Sequence, residues 1–198
     1  MGFVVQPFYL FFGKSPWQRK QLVFDQDIIV KGVNGKIIKA KTTNLKKLVK
    51  ECEKKDMVFA IGPAGTGKTY TSVALAARAL RDKEVKRIIL TRPAVEAGES
   101  LGFLPGELSS KFDPYIEAFR DNLYACYDKG KVDKHLTHLS GGEENKDRNA
   151  NKTTVAKIEG IPTQYIRGKT IGNRELLVIE EAQNLSEHEM EALLTRLG

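Results

Sequence analysis

The chain has 198 residues, of which 41% are hydrophobic and 29% are charged, a composition typical of a folded globular protein and not of a disordered one. At this length we expect one main domain with a small extension. The two cysteines match no metal or redox spacing, which favours a reducing cytoplasm, and the longest apolar stretch is too short to cross a bilayer.

The formal net charge of +7 lies entirely in the N-terminal quarter of the chain. Residues 1–56 contain 12 Lys and Arg against 5 Asp and Glu, whereas residues 57–198 contain 20 of each sign. This asymmetry favours a polyanionic partner such as RNA or DNA. An alternative remains open, in which these lysines form the solvated face of one helix: Lys46, Lys47, Lys50, Lys54 and Lys55.

The first quarter of the chain predicts a strand, a hairpin and a helix. The apolar segment Phe3–Phe12 is expected to form a strand or a strap over the core. Two further strands, Leu22–Val30 and Ile37–Ala40, flank the turn sequence "GVNG". Apolar residues recur on one face of the segment Asn44–Lys55, which predicts an amphipathic helix.

The middle of the chain alternates between strand and helix patterns. Met57–Ile61 and Arg87–Thr91 are continuous apolar runs typical of buried parallel strands. The alanine-rich segment Thr69–Arg81 predicts a helix between them. A second helix is expected over Pro114–Tyr127, with Asp113 as its N-cap.

The last part of the chain begins with the polar segment 140–154, which is expected to be a surface insertion. Strands are predicted at Gln164–Ile166 and Glu175–Ile179, followed by a helix over Ser186–Leu197 with a capping box between Ser186 and Glu189. Alternating strands and helices predict the α/β class, a parallel sheet flanked by helices.

The segment "GPAGTGKT" between a predicted strand and a predicted helix matches the phosphate-binding motif G-x-x-x-x-G-K-[ST]. Its glycines let backbone N–H groups converge on phosphate oxygens, and the helix adds its positive end. Lys68 is expected to reach the β- and γ-phosphates, and the Thr69 hydroxyl to ligate Mg²⁺. The expected ATP-contacting residues are Gly62, Pro63, Ala64, Gly65, Thr66, Gly67, Lys68, Thr69 and Tyr70.

The segment "LLVIEEAQN" at Leu176–Asn184 is an apolar strand that ends in two acids. Ligands of α/β sheets bind at the carboxyl ends of the strands, so these acids are expected beside the phosphate loop. Glu180 is the expected carboxylate toward Mg²⁺, and Glu181 is the candidate base that orients and deprotonates a water. The alternative is a cluster of acids at a helix start. A second acid after the strand favours water as the acceptor of the phosphoryl group, and so an ATPase over a kinase.

Together with these two motifs, "RIILTRPAVEAGESLGFLPGEL", "QYIRGKTI", "EEAQN" and "LLTRLG" closely resemble the PhoH-like ATPases, a P-loop group related to superfamily 1 helicases. The resemblance covers roughly residues 41–198. It implies ATP binding and hydrolysis in the cytoplasm, often by homo-oligomeric rings, with links to RNA metabolism or phosphate starvation.

Three further residues take expected roles from this resemblance. Arg92 and Arg167 look like the family's phosphate- or nucleic-acid-facing arginines, although a structural salt bridge is equally open for Arg92. Gln183 matches a glutamine that would sense the γ-phosphate or its water. This makes Lys68, Glu181 and Gln183 the expected catalytic residues.

The chain departs from the family pattern at three places. Glu180 stands where the family usually has Asp, and Mg²⁺ demands tight geometry. Leu45 stands where the family usually has a Gln that can recognise adenine, so the sequence does not predict adenine selectivity. The third departure is the insertion 140–154.

The sequence therefore predicts a small basic extension with a β-hairpin over residues 1–43 and a P-loop ATPase domain over 44–198. The resemblance implies a further strand beside the phosphate-loop strand, so we expect a fragment, or a sheet completed by a partner chain. The predicted function is Mg²⁺-dependent ATP hydrolysis on or near RNA. The alternative is a nucleotide-responsive RNA-binding module that holds ATP without turnover.

Overall fold

The computed structural model of the chain describes residues 5–12, 28–93, 108–138, 158–166 and 170–196. The expectations for the insertion 140–154 and for Arg167 lie outside these residues. No helix within the described ranges is both long enough and apolar enough to span a membrane.

Strands and helices alternate along the described residues, as the sequence predicts. The strands are β1 (Val5–Phe12), β2 (Ile28–Lys31), β3 (Ile37–Lys39), β4 (Met57–Pro63), β5 (Arg87–Arg92), β6 (Leu136–His138), β7 (Ile158–Pro162) and β8 (Glu175–Ile179). The helices are α1 (Thr43–Cys52), α2 (Lys68–Arg81), α3 (Leu108–Cys126), α4 (Lys129–His135), α5 (Thr163–Ile166) and α6 (Glu187–Leu194).

Six of the strands form one sheet in the order β4-β1-β8-β5-β7-β6, and β2 pairs with β3 in a separate hairpin. Strands β8, β5, β7 and β6 are mutually parallel. Strand β1 is antiparallel to both of its neighbours in this sheet, β4 and β8. The predicted α/β class with a parallel sheet flanked by helices is confirmed.

The N-terminal strand β1 lies between the strand that leads into the phosphate loop and the strand that ends in the two acids. Tyr9 is opposite Phe59 of β4 on one side and Ile179 of β8 on the other. Strand β4 is an edge strand of the described sheet, with β1 as its one neighbour there. One side of the phosphate-loop strand is thus without a neighbouring strand among the described residues, and the expected fragment or partner chain stays a prediction.

Each face of the sheet is covered by its own apolar cluster. Helix α2 is buried over all nine residues from Thr71 to Ala79, and its alanines allow close packing on the sheet. The opposite face packs beneath α5 and α6. Strand β8 is buried along its whole length, because both of its faces are covered.

The hairpin and the helix caps follow the local predictions. Asn34 and Gly35 have φ values of 56° and 74°, so the turn in "GVNG" uses the left-handed conformation that these residue types tolerate. Helix α6 begins with the predicted capping box between Ser186 and Glu189. Thr42 caps α1 by accepting the Leu45 N–H at 3.2 Å.

Two predicted elements differ in the structure. Helix α3 begins at Leu108, so Asp113 is not its N-cap and Pro114 lies inside the helix. A proline there removes one backbone bond, but the buried stripe at Ile116, Phe119 and Leu123 stabilises the helix against the core.

The strand predicted at 164–166 is wrong as well, because α5 occupies those residues and β7 precedes it. Strand β7 is parallel to β5 from Ile158 to Pro162. Proline has no N–H for a further ladder bond, which favours the end of the strand at this point.

The hairpin packs against the main core. Ile29, Val30 and Ile38 are buried in the same cluster as the apolar residues of α2. Gly32 lies against α3, and a Cβ at this position would be 2.2 Å from the backbone oxygen of Ala125. The division at residue 43 stays a prediction.

Gly32→Ala is expected to lower the free energy of unfolding by about 1–3 kcal/mol, because the new methyl group would overlap a helix carbonyl that cannot rotate away. Urea denaturation of the purified chain measures the change. The matched control is Gly172→Ala, where a Cβ meets no atom within 4 Å. Equal stability of the two variants would contradict the tight packing of the hairpin on α3.

Candidate functional site

The segment between β4 and α2 forms a glycine-rich loop. Gly65 and Gly67 have φ values of 72° and 86°, a conformation that side chains with a Cβ rarely adopt. A Cβ at Gly65 would meet no atom within 4 Å, so the loop backbone is open on this side. The N-terminus of the 14-residue helix α2 follows directly, which gives this open backbone a positive local field.

Lys68 folds back over the loop that precedes it. Its Nζ donates to the carbonyl oxygens of Gly62 at 2.9 Å and Pro63 at 2.7 Å. Burial lowers the pKa of the Lys68 ammonium, and the charges of Glu181 and Glu180 oppose this shift. The ammonium thus lies between the loop and the two acids that the sequence predicts to accompany it.

The contact between Thr69 and Glu180 joins the two motifs. The Thr69 hydroxyl donates a hydrogen bond to Glu180 Oε1, across 111 positions of the sequence. The Glu180 N–H donates to the Thr91 carbonyl at 2.9 Å, so this acid is anchored to β5. A hydroxyl and a carboxylate side by side, next to an open phosphate loop, fit Mg²⁺, which takes one or two protein oxygens along with phosphates and waters.

The electrostatic surroundings of Glu180 combine burial with two cations. Burial raises the pKa of its carboxyl group, while the Thr69 hydrogen bond and the charges of Arg92 and Lys68 act in the opposite direction. Arg92 and Glu180 each follow the last residue pair between β5 and β8, which is Thr91 with Ile179. The arginine that the sequence singles out therefore acts on the predicted metal ligand.

Glu181 has an unusual backbone. Its φ of 52° is left-handed, and the chain leaves β8 here to enter a short 3₁₀ turn at Ala182–Asn184. The Gln183 Nε2 donates to the Glu181 carboxylate. The other amide atom, Gln183 Oε1, is buried and has no hydrogen-bond partner among the described residues. A strained acid held by an amide is typical of a functional position.

Tyr70 and Leu45, two residues that the sequence singles out, lie in different surroundings. The Tyr70 ring packs with the apolar core near Cys126, and burial raises the pKa of its hydroxyl, so its side chain belongs to the core. Leu45 of α1 lies against the last glycine of the loop, where its Cδ1 is 3.5 Å from the Cβ position of Gly67.

Thr91 is a site residue that the sequence analysis missed. Its side chain is fully buried, and its hydroxyl has no hydrogen-bond partner within the described part of the chain. Its carbonyl fixes the Glu180 N–H. The feature of the sequence that indicates this role is its position at the end of a predicted strand, directly before Arg92.

No group of three or more His, Cys, Asp or Glu side chains that could hold a metal is found in the described ranges.

Comparison with known proteins gives a consistent result. Residues 37–198 match the family model described as PhoH-like protein. The chain is 46% identical over 164 residues to a PhoH-like protein of Mycobacterium tuberculosis, covering 83% of this chain and 42% of that one. It is 41% identical over 173 residues to a PhoH-like protein of Bacillus subtilis, covering 87% and 49%.

Protein PhoH of Escherichia coli is 39% identical over 150 residues, covering 76% of this chain and 38% of that protein. The chain thus spans less than half the length of these three relatives.

The raised pKa of Glu180 predicts a pH effect on stability. A folded-state pKa above the ordinary value of 4.5 means that the folded protein retains this proton after the unfolded chain has lost it. The free energy of unfolding should therefore fall as the pH rises from about 4.5 through the folded-state pKa. In Glu180→Gln this contribution is absent.

Urea denaturation of both proteins between pH 4.5 and 7.5, without divalent cations, measures the difference. Wild type should lose stability relative to Glu180→Gln as the pH rises. A difference that stays constant or changes in the opposite direction would contradict the burial of this carboxyl group.

Proposed function

Because the chain belongs to the PhoH-like protein family, we propose that it binds ATP with Mg²⁺ and hydrolyses it to ADP and phosphate. The observation that carries this proposal is the hydrogen bond between Thr69 and Glu180. It brings the start of α2, and with it the phosphate loop, to the acids that follow β8.

Phosphate binding uses the loop and Lys68. The open backbone at Gly65 and the start of α2 supply N–H donors to phosphate oxygens. Lys68 donates to two neutral loop carbonyls. Phosphate oxygens are stronger acceptors because they are charged, so Lys68 exchanges those carbonyls for the β- and γ-phosphates when ATP binds.

Thr69 and Glu180 would hold the cation. Bound there, Mg²⁺ would supply positive charge that neutralises the phosphates. Arg92 lowers the pKa of the Glu180 carboxyl, against the effect of burial, and so favours the ionised form that a cation requires. The Thr91 carbonyl keeps the Glu180 backbone at the end of its strand.

Hydrolysis uses Glu181 as the general base. The water oxygen forms a bond to the γ-phosphorus while the bond from that phosphorus to the bridging oxygen breaks, and the electron pair leaves with ADP. The water proton passes to the Glu181 carboxylate. Gln183 holds that carboxylate, and its buried Oε1, which has no partner among the described residues, would accept a hydrogen bond from the water.

RNA, or another single-stranded nucleic acid, is the proposed partner of the N-terminal quarter. The lysines of the hairpin, of α1 and of the residues next to them are all exposed: Lys31, Lys36, Lys39, Lys41, Lys46, Lys47, Lys50, Lys54 and Lys55. Counterion release from a polyanion drives binding to such a surface. Family resemblance supports the remaining parts of the proposal, which are a role in RNA metabolism or phosphate starvation, a cytoplasmic location and a homo-oligomeric ring.

Glu181→Gln should keep ATP binding and lower the rate of phosphate release by about 10²-fold or more, because the amide cannot take up the water proton. Steady-state phosphate release and calorimetric titration with ATP measure the two properties. Lys68→Ala should instead lose ATP binding, since it removes the charged contact to the phosphates.

The matched control for this pair is Glu187→Gln, an exposed acid on α6 outside the site. It should leave both properties unchanged. Unaltered turnover in Glu181→Gln would place the base elsewhere, and a wild type that binds ATP without releasing phosphate would support a binding module instead.

Replacing Lys47, Lys50 and Lys54 with Gln should weaken RNA binding. The slope of the logarithm of the affinity against the logarithm of the salt concentration should become shallower by about 0.7 for each lost phosphate contact. Deletion of the segment is a poor test, because Ile29 and Ile38 belong to the main core.

Fluorescence titration of a single-stranded RNA at several salt concentrations measures the slope. The control carries three exposed lysines replaced elsewhere, at Lys83, Lys129 and Lys131. Equal slopes for wild type and both variants would show that these lysines do not contact RNA and only form a solvated surface.

A further inference from the structure

We infer that Gln6 of β1 is a further residue of the nucleotide site, where its amide group binds the terminal phosphate of a nucleoside triphosphate. This inference rests on the proposed function, the binding of ATP at the phosphate loop. It deepens that function by naming a residue that distinguishes ATP from ADP. Gln6 precedes residues 37–198, which match the family model, so the family pattern assigns it no role.

Strand β1 lies between the two strands that end at the site. It pairs with β4, which leads into the phosphate loop, and with β8, which leads to the two acids. Because β1 is antiparallel to both, its N-terminal end lies at the same edge of the sheet as their carboxyl ends. It also lies beside the 3₁₀ turn Ala182–Asn184, which contains Gln183. The N-terminal end of β1 is thus placed among the elements of the site.

The strand register places Gln6 at this end of β1. Gln6 is opposite Gly62, the first residue of the loop motif, and directly opposite residues of an antiparallel pair share one face of the sheet. Val58 and Ala60, which share that face with Gly62 because faces alternate along a strand, pack against the cluster that contains α2. Gln6 therefore lies at the loop edge of the sheet and on the face that carries α2.

The terminal phosphate of a bound triphosphate is expected over the same end of β1. The lysine and the hydroxyl of this loop motif serve the β- and γ-phosphates and their Mg²⁺, and here they are Lys68 and Thr69. The Thr69 hydroxyl donates to Glu180, which follows β8. The two halves of the site therefore meet across the strand that separates β4 from β8. A γ-phosphate between Lys68 and the acids lies next to the end of that strand.

Glutamine has the chemistry for this contact. Its amide NH₂ group offers two hydrogen-bond donors. Phosphate oxygens are charged acceptors, which form stronger hydrogen bonds than neutral ones. Since ADP has no γ-phosphate, the contact with Gln6 forms only with the triphosphate.

The experiment compares the affinities for a non-hydrolysable ATP analogue and for ADP, each with Mg²⁺, by calorimetric titration of the whole chain. Gln6→Met keeps the length of the side chain and removes the donor. Its affinity for the analogue should fall by about 10-fold, the size of one hydrogen bond to a charged group, and its affinity for ADP by less than about 2-fold. Gln6→Glu has the same shape but a negative charge, so it should weaken binding of the analogue further.

The matched control is Leu10→Met, on the same strand and the same face but opposite Val58 and Val178, away from the loop. It should leave the ratio of the two affinities unchanged. Equal losses of both affinities in Gln6→Met, or wild-type affinities in both Gln6 variants, would overturn the inference alone. A wild type that binds neither ligand would overturn the proposed function as well.

A measurement on wild type decides the case in which substitutions at Gln6 unfold the chain. Amide hydrogen exchange in the segment Val5–Phe8 should be slower with the ATP analogue than with ADP, because the γ-phosphate fixes this end of β1. Equal exchange rates with the two ligands would contradict the contact.

Discussion

The hydrogen bond between the Thr69 hydroxyl and the Glu180 carboxylate is the constraint around which the site is arranged. Thr69 lies at the start of α2, which follows β4, and Glu180 follows β8. These two strands are not neighbours, because β1 lies between them in the sheet. The contact therefore depends on the pairing of β1 with both of these strands. Helix α2 is fixed by a continuous buried stretch, and the Glu180 backbone is fixed by its bond to Thr91. Both ends of the contact are held independently, so the site is preorganised.

The charges at this site oppose their own burial. Desolvation favours the neutral forms of Lys68 and Glu180, and each of the two groups partly restores the charge of the other. Arg92 adds a second cation next to Glu180. Close opposite charges in a partly buried place interact more strongly than they would in water. A ligand that brings both negative phosphates and a divalent cation would find a partner for each sign of charge.

The N-terminal quarter serves both stability and surface charge. Its apolar residues, such as Ile29 and Ile38, complete the core beneath α2, while its lysines remain exposed. Helix α1 shows this division within ten residues, since Leu48 is buried, Lys47 is exposed and Leu45 lies beside the last glycine of the loop. Helix α1 therefore connects the basic surface to the glycine-rich loop. If the proposed function holds, a polyanion and a nucleotide would be linked through this helix.

The amino-acid sequence was enough to predict the elements whose signals are local. The motif at 62–69, the turn at Asn34 and Gly35 and the capping box of α6 each depend on residues a few positions apart, so spacing and conformational preference suffice. The place of β1 in the sheet and the start of α3 could be seen only in the folded chain. The same holds for the side chains that surround Glu180. These features depend on strand pairing and packing between residues far apart in the chain, and many pairings satisfy the same local pattern until the burial of the whole core selects one.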